Sequence, residues 1–539
     1  MNSQATSETV WVAPGPGMWE RDAAHQDRPF SRLWLECSPQ SFQAGAGEAF
    51  ARFGVPLAGF EIVDVGGWFF GTLKPVDEEV FPIRIEAAER ALAERPWRAI
   101  ADEWFDRDRA VFVRRNRELQ AIAPARLDDE ALAAHIADAL NLLADASTRH
   151  FLDAVAHWVG VGLLINEAEQ LAGWTPDRTI LALAGASPAS TAPVAALRRI
   201  ASAIEADPRA SALLANGGDP ETTIGALRAS SAAVDEGFGA YLEAHGWQVF
   251  TGFDFTHQAM AELPALLLET IRKVAPEVRT PVNTLARLLE FVPAADRDRV
   301  AVLIEDATVV YGLRDDDSGP TIQQPVGLVR RALLEAGARL AARGALLDAD
   351  DIFDAARAEL TPLLTGRGSV PSSAELSERA SRRRHSQGVP PRRLGQDEPP
   401  PDEPLPPAMA TIVGALFAAM SLEDTADEEV AVGCELRGAG ASAGVYEGRA
   451  CVVRDDGDFE SLRQGDVLVA PITTPAYNVI LPLVGAVVTD RGGILSHPAI
   501  VAREYGIPAV VGTNHATSMI RTGDRVRVDG LAGTVTILS

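Results

Sequence analysis

The chain has 539 residues, 47% hydrophobic and 6% aromatic, enough for two or more domains with sizeable cores. A net charge of −26 argues against nucleic acid or anionic membrane as a partner. No apolar run reaches the roughly 18–20 residues that span a bilayer, and the N-terminus, MNSQATSETVWVAPGPG, lacks a signal-peptide layout, so a cytoplasmic protein is expected. Cys37, Cys434 and Cys451 show no CxxC spacing, so neither a disulfide framework nor a metal site is expected. Lys74 and Lys273 are the only lysines and no GxxxxGK[ST] loop occurs, so ATP, if used, is expected to be bound by another chain.

Residues 1–365 read as mainly helical. Leu132, Ile136, Leu140 and Leu143 form one stripe at helical spacing, and Val194, Leu197, Ile200 and Ile204 another. The exception is Phe60–Leu73, whose β-branched and aromatic content predicts two strands turning at Gly66-Gly67. Asp348, with Asp351 three residues on, resembles an acidic helix start for a run ending near Leu360. All nine tryptophans, Trp11 to Trp247, fall here and are expected mostly in the core. From 366 to 407 proline, serine and charge dominate, which predicts a linker or an extended wrapping segment, with a connecting helix before residue 429. Within it, Arg382–Arg384 and His385 read as a solvated charge run, with a phosphate contact as the alternative.

From 430 to 539 the pattern changes to short strands: Ala450–Arg454, Val467–Ala470, Ala486–Thr489, Ala509–Val511, Arg525–Val528 and Thr534–Leu538. One helix interrupts them. In TDRGGILSHPAIVAREYGIPAVVGT (489–513), a strand ends at Thr489, a loop with Gly492 and Gly493 follows, and a helix starts at Pro498 and stops at Gly506. His497 then lies at the helix N-terminus, where unpaired N–H groups favour an anion and a neutral, nucleophilic imidazole. Ser496 is placed to donate a hydrogen bond to it. An N-cap histidine without chemistry is the alternative on local features alone.

This run resembles the phosphohistidine signature of the phosphoenolpyruvate-utilising enzymes. The likeness extends to Gly438–Gly444, Gly465–Val469, Thr473-Thr474-Pro475, Gly512-Thr513 and Gly523–Gly530. Its Leu495-Ser496-His497 version is more similar to the branch of rifampin phosphotransferase and phenylphosphate synthase. The resemblance implies an α+β protein: a large helical acceptor-binding domain (1–365), a connecting segment (366–429) and a β/β/α swivelling domain (430–539) whose His497 is phosphorylated. Gly492, Gly493, Thr473 and Thr474 are expected around the phosphate.

Tyr241–Ile271 and Leu328–Leu360 resemble, more faintly, the acceptor-binding domain of the same branch. His245, Asp254 and His257 are the acceptor-side candidates for activating a hydroxyl. The family places an ATP-binding domain ahead of the acceptor domain. Its position in this chain implies a separate ATP-grasp subunit that binds ATP and Mg²⁺, with phosphoenolpyruvate the less favoured donor. His497 would attack the β-phosphate, lose phosphate from a pyrophosphoryl-histidine, and pass phosphate to a small hydroxylated acceptor. A phosphocarrier serving another protein is the second reading, and an inactive homologue the third.

Overall fold

A computed structural model describes residues 11–538 apart from 24, 27, 250–251, 275–282, 386–387, 397–402, 424–434, 455 and 474. Cys434 and Thr474 therefore lie outside the described residues. It has a large helical region and a C-terminal mixed sheet, the α+β architecture expected.

The helical region is organised on one long helix, α1 (Asp129–Ala172). Asp128 caps it by accepting from the Ala131 N–H, and Gly173 ends it in the left-handed conformation. Leu132, Ile136, Leu140 and Leu143 are buried as their spacing predicts, and Val155–Ile165 is apolar nearly all round because helices cover it on several sides. Two of these are α2 (Arg297–Ser318) and α4 (Pro407–Met420), while α3 (Gln324–Ala342) packs with the stripe from Leu132 to Leu143. Gly162 sets the crossing with α4: a Cβ there would lie 1.9 Å from the Ala415 carbonyl oxygen. A five-residue π turn, Gly319–Gln323, joins α2 to α3 and takes in Pro320, which has no N–H to give an α-helical ladder.

The second predicted stripe lies on the helix Ala192–Glu205 and is buried with Phe238 and Tyr241. The predicted strand pair is present as β2 (Leu57–Val65) and β3 (Trp68–Pro75), turning at Gly66-Gly67. Its sheet also holds β1 (Met18–Arg21) and β4 (Arg393–Gly395), in the order β2-β3-β1-β4. Six tryptophans are buried; Trp11, Trp158 and Trp247 are half-buried.

Two expectations are corrected. Asp348 caps only a short 3₁₀ turn, Ala349–Asp354, and the helix that follows starts anew at Arg357. Within 366–407, the described part is no free linker. It forms the helix Ser373–Arg384 and strand β4 of the N-terminal sheet. The arginine run is solvated only in part: Arg382, Arg384 and His385 are exposed, but Arg383 pairs with Asp354 and Arg384 with Asp351, both carboxylates buried. Pairing across tens of residues turned a composition typical of linkers into packed structure.

The C-terminal sheet holds β5 (Glu435–Arg437), β6 (Ala439–Ser442), β7 (Val445–Val452), β8 (Val467–Ala470), β9 (Ala486–Thr489), β10 (Ala509–Val511), β11 (Arg525–Asp529) and β12 (Thr534–Ile537), in the order β5-β12-β11-β7-β8-β9-β10-β6. The four central strands β7-β8-β9-β10 are parallel, which is why β8, β9 and β10 read as continuous apolar runs. Helix α5 (His497–Tyr505) packs between this sheet and the helical region. Among the described residues, no helix is long and apolar enough to cross a membrane.

Candidate phosphohistidine site

The chain leaves two adjacent parallel strands at the same edge: after Ala470 of β8 it reaches Thr473, and after Thr489 of β9 it enters the loop to His497. The carboxyl edge of neighbouring parallel strands is where α/β sheets place their ligands. The loops are tied together by Asp490 N–H donating to Ala470 O at 3.1 Å and Arg491 N–H to Pro471 O at 3.0 Å. Gly492 has φ +105°, and a Cβ there would meet Ser496 Oγ at 2.6 Å, so the turn requires glycine.

His497 is the first residue of α5 and is half-buried. Its Nδ1 faces Thr473 Oγ1 at 3.0 Å, and its Nε2 faces Asn478 Oδ1 at 2.9 Å. Asn478 Oδ1 can only accept, which places the ring proton on Nε2 and leaves the Nδ1 lone pair to the Thr473 hydroxyl. Burial pushes the imidazole pKa down to about 4; Asp315 pulls it up and the Arg314 guanidinium adds to the depression. The ring is therefore neutral at physiological pH, the form needed for attack on phosphorus.

Ser496 does not serve His497 as expected. Its hydroxyl donates to Gly493 O at 2.6 Å and so holds the glycine loop in shape. Gly493 contributes its backbone, donating to Glu423 O at 2.7 Å, and Leu495 N–H donates to Leu422 O at 2.8 Å. The loop ahead of His497 is thus stitched to the end of the α4 segment. Arg314 of α2 reinforces this with a hydrogen bond to Glu423 Oε2 at 2.6 Å and one to Leu495 O at 2.5 Å. Trp158 Nε1–H also donates to Glu423, at 2.9 Å. Along α5, Arg503 donates to Tyr311 Oη at 2.9 Å, Glu504 accepts from Gly185 N–H at 2.8 Å, and Tyr505 Oη donates to Ser190 O at 3.3 Å. Burial raises the Glu504 pKa to about 7. The loop ahead of His497 and α5 are thus held against the helical region, while the partners of the His497 ring, Thr473 and Asn478, belong to the sheet region.

The acceptor-side candidates are not gathered at His497. Asp254 is buried and accepts from Ser31 N–H at 2.6 Å and Thr256 N–H at 2.7 Å, capping the helix that starts at Arg32. His257 Nδ1 lies 3.2 Å from the Asp254 backbone. His245 packs on Tyr241, and burial pushes its pKa down to about 4. None of the three has a described contact with His497 or its loop.

The polar group that does sit near the loop was not singled out in the sequence. Arg149, His150 and Asp153 on α1 meet Arg314, Asp315 and Asp317 on α2, with His25 from the N-terminal segment close by. The sequence signal was present, since a polar patch interrupts an alanine- and leucine-rich helix. The pairing is 167 residues apart in the chain for His150 and Asp317, and no local pattern shows it. A separate cleft of about 670 Å³ lies between Trp174, Arg178 and Phe291 of the helical region and Gly438–Gly440 of the sheet region.

The fold and site define a class: residues 462–533 match the PEP-utilising enzyme mobile domain, and residues 125–298 match the rifampicin phosphotransferase fourth domain. The chain thus matches the PEP-utilising family in the neighbourhood of rifampicin phosphotransferase. Rifampicin phosphotransferase of Streptomyces sviceus is 29% identical over 319 residues, 56% of this chain and 34% of that protein. The uncharacterized phosphotransferase YvkC of Bacillus subtilis is 37% identical over 212 residues, 38% of this chain and 23% of that protein. A probable phosphoenolpyruvate synthase of Pyrococcus abyssi is 45% identical over 119 residues, 21% of this chain and 14% of that protein. The chain spans about a third or less of the length of these relatives.

Proposed function

We propose that the protein is a component of a phosphotransferase in which His497 receives a phosphoryl group from a donor and delivers it to a hydroxyl of a small organic acceptor. The observation that carries this reading is the imidazole itself. It is neutral, held at both ring nitrogens, and set at a helix start after a loop packed on a helical region of which residues 125–298 match the fourth domain of rifampicin phosphotransferase. A phosphoryl group placed on His497 would meet a helix N-terminus, whose dipole favours an anion, with Arg314 beside it.

The donor is assigned to ATP with Mg²⁺ on a separate ATP-grasp subunit, with phosphoenolpyruvate as the alternative. The two lysines support this division: Lys74 is exposed on β3 and Lys273 pairs with Glu269. The charged residues around His497 are arginine and aspartate. Splitting the transfer lets one nucleophile visit a donor and an acceptor in turn. The relatives' name makes rifampicin one acceptor to try, alongside phenols and simple alcohols.

The test is to incubate the chain and His497→Ala with Mg²⁺ and either β-labelled ATP or labelled phosphoenolpyruvate in host lysate. Label from ATP on the wild-type chain alone, chased onto a small acceptor, is the expected result. Label chased only onto another protein supports the carrier reading, and label retained by His497→Ala contradicts both.

A further inference from the structure

We propose that His150, held by Asp317, is the general base that takes the proton from the acceptor hydroxyl, where α1 and α2 meet the loop ahead of His497. This deepens the phosphotransfer reading and rests on it. His150 presents Nδ1 to Asp317 Oδ2 at 3.0 Å. Asp317 is buried, and its other carboxylate oxygen accepts no hydrogen bond. Its carboxylate is therefore committed to the imidazole, which fixes the ring and leaves the far nitrogen to act. Nε2 of His150 has no hydrogen-bond partner among the described residues, and the side chain keeps 21% of its surface accessible. A carboxylate–imidazole pair with one ring nitrogen free toward solvent is the arrangement that activates a hydroxyl.

The surroundings point the same way. His25, whose side chain is 54% accessible, is near enough to act electrostatically on His150. It feels desolvation together with the charges of Asp22, Glu423 and Arg314. Arg149 and Asp153 bond to each other, and Arg149 also takes Asp108, so these charges are satisfied within the wall. Two π turns lie on either side of the group, Trp104–Asp108 carrying Asp108 and Gly319–Gln323 starting two residues after Asp317. Such widened turns recur where a helix is bent to aim side chains at a site. Arg314 joins the two halves. It bonds Leu495 O, two residues before His497, and its charge acts on both His497 and His150. Arg314 and Asp317 stand three residues apart on α2, so the side chain that holds His150 and the side chain that bonds the loop of His497 share one face of that helix.

The acceptor oxygen bonds to phosphorus as the P–N bond to His497 breaks, and the electron pair of that bond returns to the imidazole. The hydroxyl proton passes to Nε2 of His150 and from there to solvent, while the His497 ring keeps its own proton on Nε2, so both rings end neutral.

The test needs no donor subunit. The full-length chain is loaded at His497 with phosphoramidate, the stoichiometry is read by mass, and loss of the phosphoryl group is followed with water alone and with phenol added. His150→Gln is expected to load like wild type yet to lose the group at least about 100-fold more slowly to both acceptors. Asp317→Asn, which keeps a hydrogen-bonding oxygen beside the ring, is expected to load normally and to displace the pH profile of the loss. Equal rates for wild type and His150→Gln with both acceptors, or an unmoved profile in Asp317→Asn, would overturn the proposal. A wild-type chain that never loads would instead overturn the phosphohistidine reading itself.

Discussion

At the scale of single residues, the chemistry of His497 depends on what keeps its ring neutral and oriented. Its pKa is pushed from the ordinary 6.5 to about 4, chiefly by burial. A neutral imidazole is present above the folded-state value and lost below it. Loading of His497 by phosphoramidate is therefore expected to stay flat as pH falls from about 8 to about 5, where an ordinary histidine loses most of its reactivity. A decline centred near 6.5 would contradict the burial argument. Thr473 supplies the hydroxyl at Nδ1, and Thr473→Val removes one hydrogen bond while keeping the shape. Unfolding by urea should show a loss of about 1 kcal/mol, together with slower loading. Asp254→Ala should behave in the opposite way. It removes the acceptor for two backbone N–H groups and should cost about 1–2 kcal/mol in stability while leaving the loading rate of His497 unchanged. If Asp254→Ala loads slowly at full stability, that carboxylate has a role at the site that its contacts do not suggest.

At the scale of elements, close crossings position the site. Helix α4 passes α1 at Gly162, and its continuation at Leu422 and Glu423 holds the loop ahead of His497. Gly162→Val would force the two backbones apart, with an expected cost of about 1–3 kcal/mol in thermal unfolding and slower loading of His497. Unchanged stability would mean that α4 is free to shift. The elements also show what a sequence can disclose. The strands β8, β9 and β10 and the stop at Gly506 were legible because parallel buried strands and a left-handed helix cap each leave a local signature. The helix Ser373–Arg384 and strand β4 were hidden, because their partners Asp351, Asp354 and β1 come from remote stretches of chain. Ser496 was legible as a neighbour of His497 but not in its role, since its hydroxyl turns back to Gly493. The His150–Asp317 pair was hidden for the same reason as β4: it exists only once α1 and α2 are packed.

At the scale of the whole molecule, the sheet region and the helical region share their cores. Ile494, Leu495 and Ile500 belong to the cluster around α1, and the helix Ala192–Glu205 shares a cluster with β8 and α5. One cooperative unfolding transition is therefore expected in calorimetry. The variant Arg503→Met/Glu504→Gln, which breaks the contacts of α5 with Tyr311 and weakens that with Gly185, should separate it into two. A single unaltered transition in that variant would show that apolar packing alone holds the docked arrangement. A carrier that must reach two sites needs such contacts to be breakable, and Glu504, with its pKa raised to about 7, is the most easily altered of them. All of this presupposes that phosphate travels on His497. The most direct measurement is peptide mapping by mass spectrometry, under alkaline conditions, of the chain recovered from host lysate supplied with ATP and Mg²⁺. The account predicts the mass of one phosphoryl group on the peptide holding His497, lost on brief acid treatment and absent from His497→Ala. A phosphoryl group on any other residue, or an acid-stable one, would contradict it.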